Sequence, residues 1–353
     1  MGNASRVRPT AHFSDELLGL SRQHLMHGVA TAELSMKIIK GLENVQEKFS
    51  YPILTLGNFD GVHLGHQKIF EMVRDRAREV EGTSIVLTFD PHPQKVLSPH
   101  KKFYLLNTFE EKIRIIESIG IDVVICVTFT REFANKSPYE FVKDVLHEQL
   151  EVREVYVGYD STFGKGKEGD VQELKYLGEK FGFKVIVVPP ITVKGKPVSS
   201  TRIRELLKEG NVEEAALLLN RWYSIDGEIV RGKARGKKLG FPTANLKLHH
   251  ELIPKGGIYI VRVLWRNKTF DGVLNIGTNP TFHDEKLSIE VHILDFNQDI
   301  YGDHLQVIFY KRIRDELTFS TVQELIEQIA KDVEIAREYF RSLEEQQAVG
   351  GQP

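Results

Sequence analysis

A chain of 353 residues is long for one compact core, so its length predicts two domains. Lys and Arg total 47 against 49 Asp and Glu, which removes any global drive towards nucleic acid or an anionic membrane, and no apolar run approaches the ~20 residues of a bilayer-spanning helix. A single cysteine, Cys126 in the run DVVICVTF, excludes a disulfide framework, argues against a cysteine zinc site, and fits a small buried residue in a reducing cytoplasm.

Residues 1–35 lack strong periodicity and the continuous apolar core of a secretory signal. They read as a poorly ordered extension: a vector remnant, a misplaced start or a presequence. Patterned sequence opens at Met36.

From there strand and helix alternate. PILTLG is a short apolar run bounded by Pro and Gly, and QKIFEMVRDRAREV sets Ile69, Phe70, Val73, Ala77 and Val80 on one helical face. SIVLTF, DVVICVTF, EVYVG and KVIVVPP are further β-branched runs, separated by the helical patterns FEEKIRIIESIG, YEFVKDVLHEQL and VQELKYLGEKFG. Such alternation predicts a doubly wound parallel sheet covered on both faces, with a ligand site at the carboxyl ends of its strands.

The stretch LTLGNFDGVHLGHQKIF, residues 54–70, lies at one such end. Gly57 and Gly61 allow a tight turn, Gly65 allows close approach, and the following helix offers unpaired N–H groups and a partial positive charge. His63 and His66 add donors whose charge can change near neutral pH, which suits a phosphate site; the bland reading is a capped helix with two satisfied surface histidines. After the last strand, PVSSTRIRELLKEGN predicts a second helix mouth, N-capped by Ser200 or Thr201, with Arg204 one turn inside and placed for outer phosphates.

His63-Leu64-Gly65-His66 with Ser199-Ser200-Thr201-x-x-Arg204 resembles the nucleotidyltransferase superfamily, relatives of class I aminoacyl-tRNA synthetases. GNFDGVHLGHQ and TFDPHP resemble its FAD synthetase branch. That resemblance implies ATP-phosphate contacts at Gly57, Asn58, Asp60, Gly65, Ser199, Ser200 and Thr201, catalytic roles for His63, His66 and Arg204, and flavin contacts at Asp160 and Phe163. In GYDSTFGKGKEGD, residues 158–170, Ser161 and Lys167 stand where that family commonly has Phe and Arg; Lys keeps the charge but loses the bidentate fork.

Near Asn220–Ser224 the pattern changes. SIDGEIVRG, FPTANLKL, GIYIVRVLW, TFDGVLNIG, SIEVHILDF and HLQVIFYKRI are short strands with no helices between them, followed by the helix pattern TVQELIEQIAKDVEIAREYF. An antiparallel β-barrel with a terminal helix is expected. The boundaries read as 36–220 for the first domain, 221–343 for the second and 344–353 for a tail.

VRGKARGKKLGFPTANL, residues 230–246, is a Gly- and Lys-rich flap beside Thr243 and Asn245, both neutral oxygen ligands suited to Mg²⁺ and phosphates. In LSIEVHILDF, Ile289, Val291 and Ile293 face a core, which puts Glu290 on the other face; pattern alone reads that face as solvated. These stretches, with KRIRDELTFS and GVLNIGTNPTF, resemble the riboflavin kinase module. The resemblance implies Mg²⁺ and ATP phosphates at Thr243 and Asn245 under a flap carrying Gly232, Arg235, Gly236 and Gly240, Glu290 as base, and Arg314 and Phe319 beside the flavin.

Together the resemblances imply a cytoplasmic, bifunctional enzyme that phosphorylates riboflavin to FMN and adenylylates FMN to FAD. Its partners would be riboflavin, FMN and ATP with Mg²⁺, without nucleic acid or membrane, and it would be a monomer or weak homo-oligomer. Two rivals are a nucleotidyltransferase of another acceptor with a passive barrel, and a flavin- or RNA-binding regulator without chemistry. Pro-Thr-Ala-Asn and Glu290 argue against the first; intact His63, His66, Arg204 and Glu290 argue against the second.

Overall fold

The computed structural model describes residues 36–232, 236, 239–280 and 285–349; the expected extension 1–35 and Arg235 lie outside the described residues. Strands β1 (Lys37–Lys40), β2 (Pro52–Leu56), β3 (Thr83–Asp90), β4 (Val123–Thr128), β5 (Glu154–Gly158) and β6 (Lys184–Val188) form one sheet in the order β1-β4-β3-β2-β5-β6. Every pairing in it is parallel. Five of these strands match the apolar runs. The sixth, β1, is a four-residue edge strand in which only Ile39 is buried, too little pattern to stand out in sequence.

Both faces of this sheet are core. Leu54, Leu87, Ile125 and Val155 pack on one side, Ile53, Val86, Val124 and Tyr156 on the other. Alternate residues of each strand are thus equally apolar, as a sheet covered on both faces requires. Helix Leu64–Glu79 closes the second face with Ile69, Phe70, Val73 and Ala77. The strand order reverses at β2: β3 lies on one side and β5 on the other. Loop 57–63 therefore leaves the sheet at its topological switch point, where open α/β sheets place ligands.

A two-residue hairpin, β7 (Thr192–Val193) with β8 (Lys196–Pro197), follows, then helices Ser200–Glu209 and Val212–Leu219. Strands β9 (Ser224–Val230), β10 (Ala244–Leu248), β11 (Gly257–Trp265), β12 (Lys268–Pro280), β13 (Glu285–Ile293) and β14 (His304–Arg314) close into an antiparallel barrel in the order β10-β13-β12-β11-β14-β9. All match the runs read from sequence. The terminal helix, Val322–Val349, includes most of the stretch expected to be a tail.

By backbone contacts the described chain divides into two compact units between Ser200 and Thr201, whereas the sequence pattern changes near Asn220–Ser224. Helices 200–209 and 212–219 explain the difference. Val212, Ala215, Ala216, Leu217, Leu218 and Leu219 are all buried, and this helix packs on β14. The Lys255 N–H donates to the Leu207 carbonyl at 2.9 Å. A helix buried nearly all round belongs to the core it fills.

Burying one leucine is worth ~1.5–3 kcal/mol, and a small domain has only ~5–15 kcal/mol in hand. A fragment 201–353 is therefore expected to melt cooperatively by circular dichroism, and a fragment 221–353 to melt at least ~10 °C lower or not to fold. Equal midpoints would show that the helix pair is dispensable to the barrel.

Candidate active sites

The first site grows from the end of β2. The backbone carbonyl of Asn58 accepts hydrogen bonds from Lys112 Nζ at 3.1 Å and Thr88 Oγ1 at 3.3 Å. The buried Asp60 carboxylate accepts the Leu106 N–H at 3.0 Å, and Asn107 Oδ1 accepts the Gly61 N–H at 2.8 Å. Asn58 and Asp60, expected as phosphate contacts, are thus also the braces of the loop. The helix opens at Leu64, ahead of Gly65 rather than after it: His63 is its N-cap, and His66 lies in its first turn.

The two imidazoles stack, centroids 3.6 Å apart with planes 19° from parallel, and the Phe59 ring meets His66 edge-on at 5.2 Å. A β-carbon on Gly65 would lie 3.2 Å from the His63 ring, a tight contact that would press on the stack. Burial first, then the neighbouring His63 and the Lys112 ammonium, hold the His66 imidazole well below its ordinary pKa range. His66 is neutral at pH 7, and its Nδ1 is buried without a hydrogen-bond partner.

Ser200 is the first residue of helix Ser200–Glu209 rather than its N-cap, and its hydroxyl donates to the Asp60 carbonyl at 2.9 Å. The second helix mouth therefore starts on the first loop. Thr201 and Arg204 follow on that helix, within the second compact unit.

The second site lies on the barrel. Glu290 is directly opposite Asn245 on β10 and Asn275 on β12. Its carboxylate accepts the Thr243 hydroxyl at 3.1 Å and the Ser288 hydroxyl at 3.1 Å. His292, two residues on, donates from Nδ1 to the Pro242 carbonyl at 2.8 Å. The strand face that pattern alone reads as solvated is instead covered by the Pro-Thr-Ala-Asn turn. Gly232 abuts the Asn245 carboxamide so closely that a β-carbon would overlap it, and one on Gly236 would come within 3.2 Å of Thr243 Oγ1. Gly240 sits at φ +87°, in the left-handed region that glycine tolerates.

Two family models match: FAD synthetase over residues 45–202 and riboflavin kinase over residues 219–340. A bifunctional riboflavin kinase/FMN adenylyltransferase from Buchnera aphidicola (subspecies Schizaphis graminum) is 37% identical over 86% of this chain and 99% of its own length. The Escherichia coli K12 protein of the same name is 38% identical over 86% of this chain and 98% of its own. The chain belongs to the bifunctional riboflavin kinase/FMN adenylyltransferase family. The solved structure of a Streptococcus pneumoniae protein, described as a macrolide-efflux protein, has a TM-score of 0.79 and 34% identity, covering 86% of this chain and 98% of that one. Among the described residues no helix is long and apolar enough to cross a membrane.

Within this family framework the residues expected beside the flavin divide. Phe163 is buried in the sheet core, 5.9 Å from Phe141, and exchanges backbone hydrogen bonds with Gly169. Asp160 is exposed on the turn after β5, and Lys167 is exposed at φ +62°. Arg314 is held by the buried Asp332 of the terminal helix, at 3.0 and 2.6 Å, and Phe319 is half-buried. Arg314 thus docks the terminal helix on the barrel, whatever else it contacts.

Sequence reading missed three groups. Lys112 is a lysine on the buried stripe of helix Phe109–Ile119, a position whose only signal is a charge where the period calls for an apolar residue. The Phe89, Phe129 and Phe133 rings meet at the carboxyl ends of β3 and β4, with centroids 5.5 to 6.0 Å apart and each ring partly exposed. They read as ordinary core in sequence. Glu316 lies so close to Gly277 that a β-carbon there would overlap its carboxylate, which brings a second acid to the strand pair bearing Ser288.

The depressed His66 pKa fixes a sign for stability against pH. Protonation is disfavoured in the fold relative to an unfolded imidazole near 6.5, so this contribution is complete above ~6.5 and lost as pH falls below it. The melting temperature of the parent should drop more steeply between pH 7 and 5 than that of His66→Gln. Parallel curves would contradict a neutral His66.

Proposed function

We propose that the protein makes FAD from riboflavin in two successive ATP-dependent steps, one in each module, the first in the barrel. The observation that carries this reading is the Glu290 carboxylate, held between the Thr243 and Ser288 hydroxyls and directly opposite Asn245.

In the kinase step the ribityl 5′-hydroxyl oxygen bonds to the γ-phosphorus of ATP, the bond from that phosphorus to the β–γ bridging oxygen breaks, and ADP leaves. A neutral hydroxyl is a poor nucleophile; Glu290 takes its proton. Thr243 and Asn245 supply neutral oxygens for Mg²⁺, and among the described residues no cluster of three His, Cys, Asp or Glu forms a protein cage. Two weak protein ligands suit a small cation that keeps water and phosphate oxygens in its shell. Mg²⁺ bound there would neutralise charge on the transferring phosphoryl group. Gly232 and Gly236 of the flap let backbone approach both residues.

In the adenylyl step a phosphate oxygen of FMN bonds to the α-phosphorus of a second ATP, and pyrophosphate leaves. The nucleophile is already anionic, so the site needs alignment and charge stabilisation rather than a base. A neutral His66 donates one N–H without adding a charge that would bind substrate and transition state alike. His63 and the helix mouth join it at the α-phosphate; Ser199, Ser200, Thr201 and Arg204 serve the leaving pyrophosphate. Asp160 and the loop to Phe163 border the FMN. The Phe89, Phe129 and Phe133 rings, at the strand ends beside this loop system, offer the flat apolar surface an isoalloxazine ring stacks on. Arg314 and Phe319 line the flavin side of the barrel site. The enzyme acts in the cytoplasm, where Cys126 stays reduced, as a monomer or weak homo-oligomer, and needs neither nucleic acid nor membrane.

Glu290→Gln is expected to cut FMN formation by ~10²–10⁴-fold while FAD formation from supplied FMN stays within two-fold of the parent. Chromatography of the two reactions reads both. Kinase activity within a few-fold of the parent would remove Glu290 as the base.

A further inference from the structure

Asn275 is used by nothing described so far, yet it lies beside the base of the kinase reaction. It is directly opposite Glu290 across the β12–β13 ladder, so the two side chains share a face. Asn245, opposite Glu290 on the other side, completes a lateral row Asn245, Glu290, Asn275 across three adjacent strands. Beyond Asn275 the row continues to Ile258 on β11, which pairs in turn with Arg314 on β14.

The flanking asparagines differ in their surroundings. Asn245 is boxed in by Gly232, on the side where Thr243 meets Glu290. Asn275 is on the far side, and its Oδ1 is buried with no hydrogen-bond partner. Glu290 does not meet the need, since its oxygens are acceptors already engaged by Thr243 and Ser288. A buried amide oxygen without a donor is unfavourable, and a hydrocarbon of the same shape would serve the fold better. What is missing is a neutral donor, arriving from the side of the base opposite the phosphate ligands.

We propose that Asn275 is an acceptor-binding residue of the kinase: its Oδ1 accepts a hydrogen bond from a ribityl hydroxyl other than the one phosphorylated. This rests on the kinase reading above. Neighbouring strands are ~4.8 Å apart, so a carboxylate and a carboxamide side by side can meet two different hydroxyls of one extended polyol. Binding one internal hydroxyl fixes which terminal hydroxyl reaches Glu290. A site built to hydrogen-bond a hydroxyl discriminates strongly against an analogue that lacks it.

The test compares the full-length parent with Asn275→Leu, near in volume and without the acceptor. The substrates are riboflavin and a set of flavins each lacking one internal ribityl hydroxyl. Asn275→Leu should lower kcat/KM for riboflavin ~10–100-fold, mainly through KM, and leave KM for ATP and adenylylation of supplied FMN within two-fold. It should melt at or above the parent temperature, because an unpaired buried oxygen is gone. The parent should reject one deoxy analogue that Asn275→Leu no longer distinguishes from riboflavin. An unchanged kcat/KM for riboflavin, or retained discrimination among the analogues, overturns the assignment. So does a lower melting temperature with parallel loss of ATP and riboflavin kinetics, which would mark a structural asparagine. If the parent makes no FMN at all, the kinase reading fails; quenching of flavin fluorescence then still decides Asn275 by whether riboflavin binds the leucine variant more weakly.

Discussion

A β-carbon on residue 65 would press on the His63 ring, and one on residue 232 would overlap the Asn245 carboxamide. Both modules depend on the same constraint: backbone must approach within van der Waals distance of a polar side chain at the candidate site. Phosphates are held by rows of N–H donors, and those reach a ligand only where no side chain intervenes. At the switch point of the sheet this yields a helix mouth with two stacked imidazoles. On the barrel it yields a flap lying on Thr243 and Asn245. The rest of the fold supplies two rigid edges, a doubly covered parallel sheet and a closed ring of strands, against which these loops keep their shape.

The two sites solve opposite electrostatic problems. The adenylyl site receives an anionic nucleophile and needs donors without excess fixed charge. Burial, the facing His63 and the Lys112 ammonium hold His66 neutral, while Lys112 gives its own hydrogen bonds to the Asn58 carbonyl and Thr88. Burial also lowers the Lys112 pKa, with Asp60, Cys126 and Asp90 opposing that shift. The kinase site receives a neutral hydroxyl and needs a base. The Glu290 carboxylate of the barrel accepts the Thr243 and Ser288 hydroxyls.

Much of this was legible in the chain itself. Strand runs gave both sheets because a parallel sheet buried on two faces and an antiparallel barrel buried on one leave different apolar periods, as in SIVLTF against SIEVHI. The paired histidines and Ser200 stood out at helix mouths; Thr243, Asn245 and Glu290 stood out through the resemblance to the riboflavin kinase module, since the alternation alone reads Glu290 as solvated. What stayed hidden was long-range. Lys112 joins the first loop from 54 residues away, and its one local mark, a charge on the buried stripe of its helix, does not say what it meets. β1 buries one side chain. The helix Val212–Leu219 falls in the first domain by sequence pattern, and only its packing against β14 shows which core it fills. The ion pair of Arg314 with Asp332 of the terminal helix is likewise invisible in sequence, since the two residues are 18 apart.

The central claim is that one chain performs two chemically distinct steps in order. The direct measurement follows riboflavin, FMN and FAD by chromatography over time in a single mixture of the full-length protein, riboflavin, Mg²⁺ and excess ATP. FMN is expected first, followed by FAD, with one ADP per flavin phosphorylated and one pyrophosphate per FAD. No flavin product, FMN that never becomes FAD, or FAD formed only from supplied FMN would contradict it.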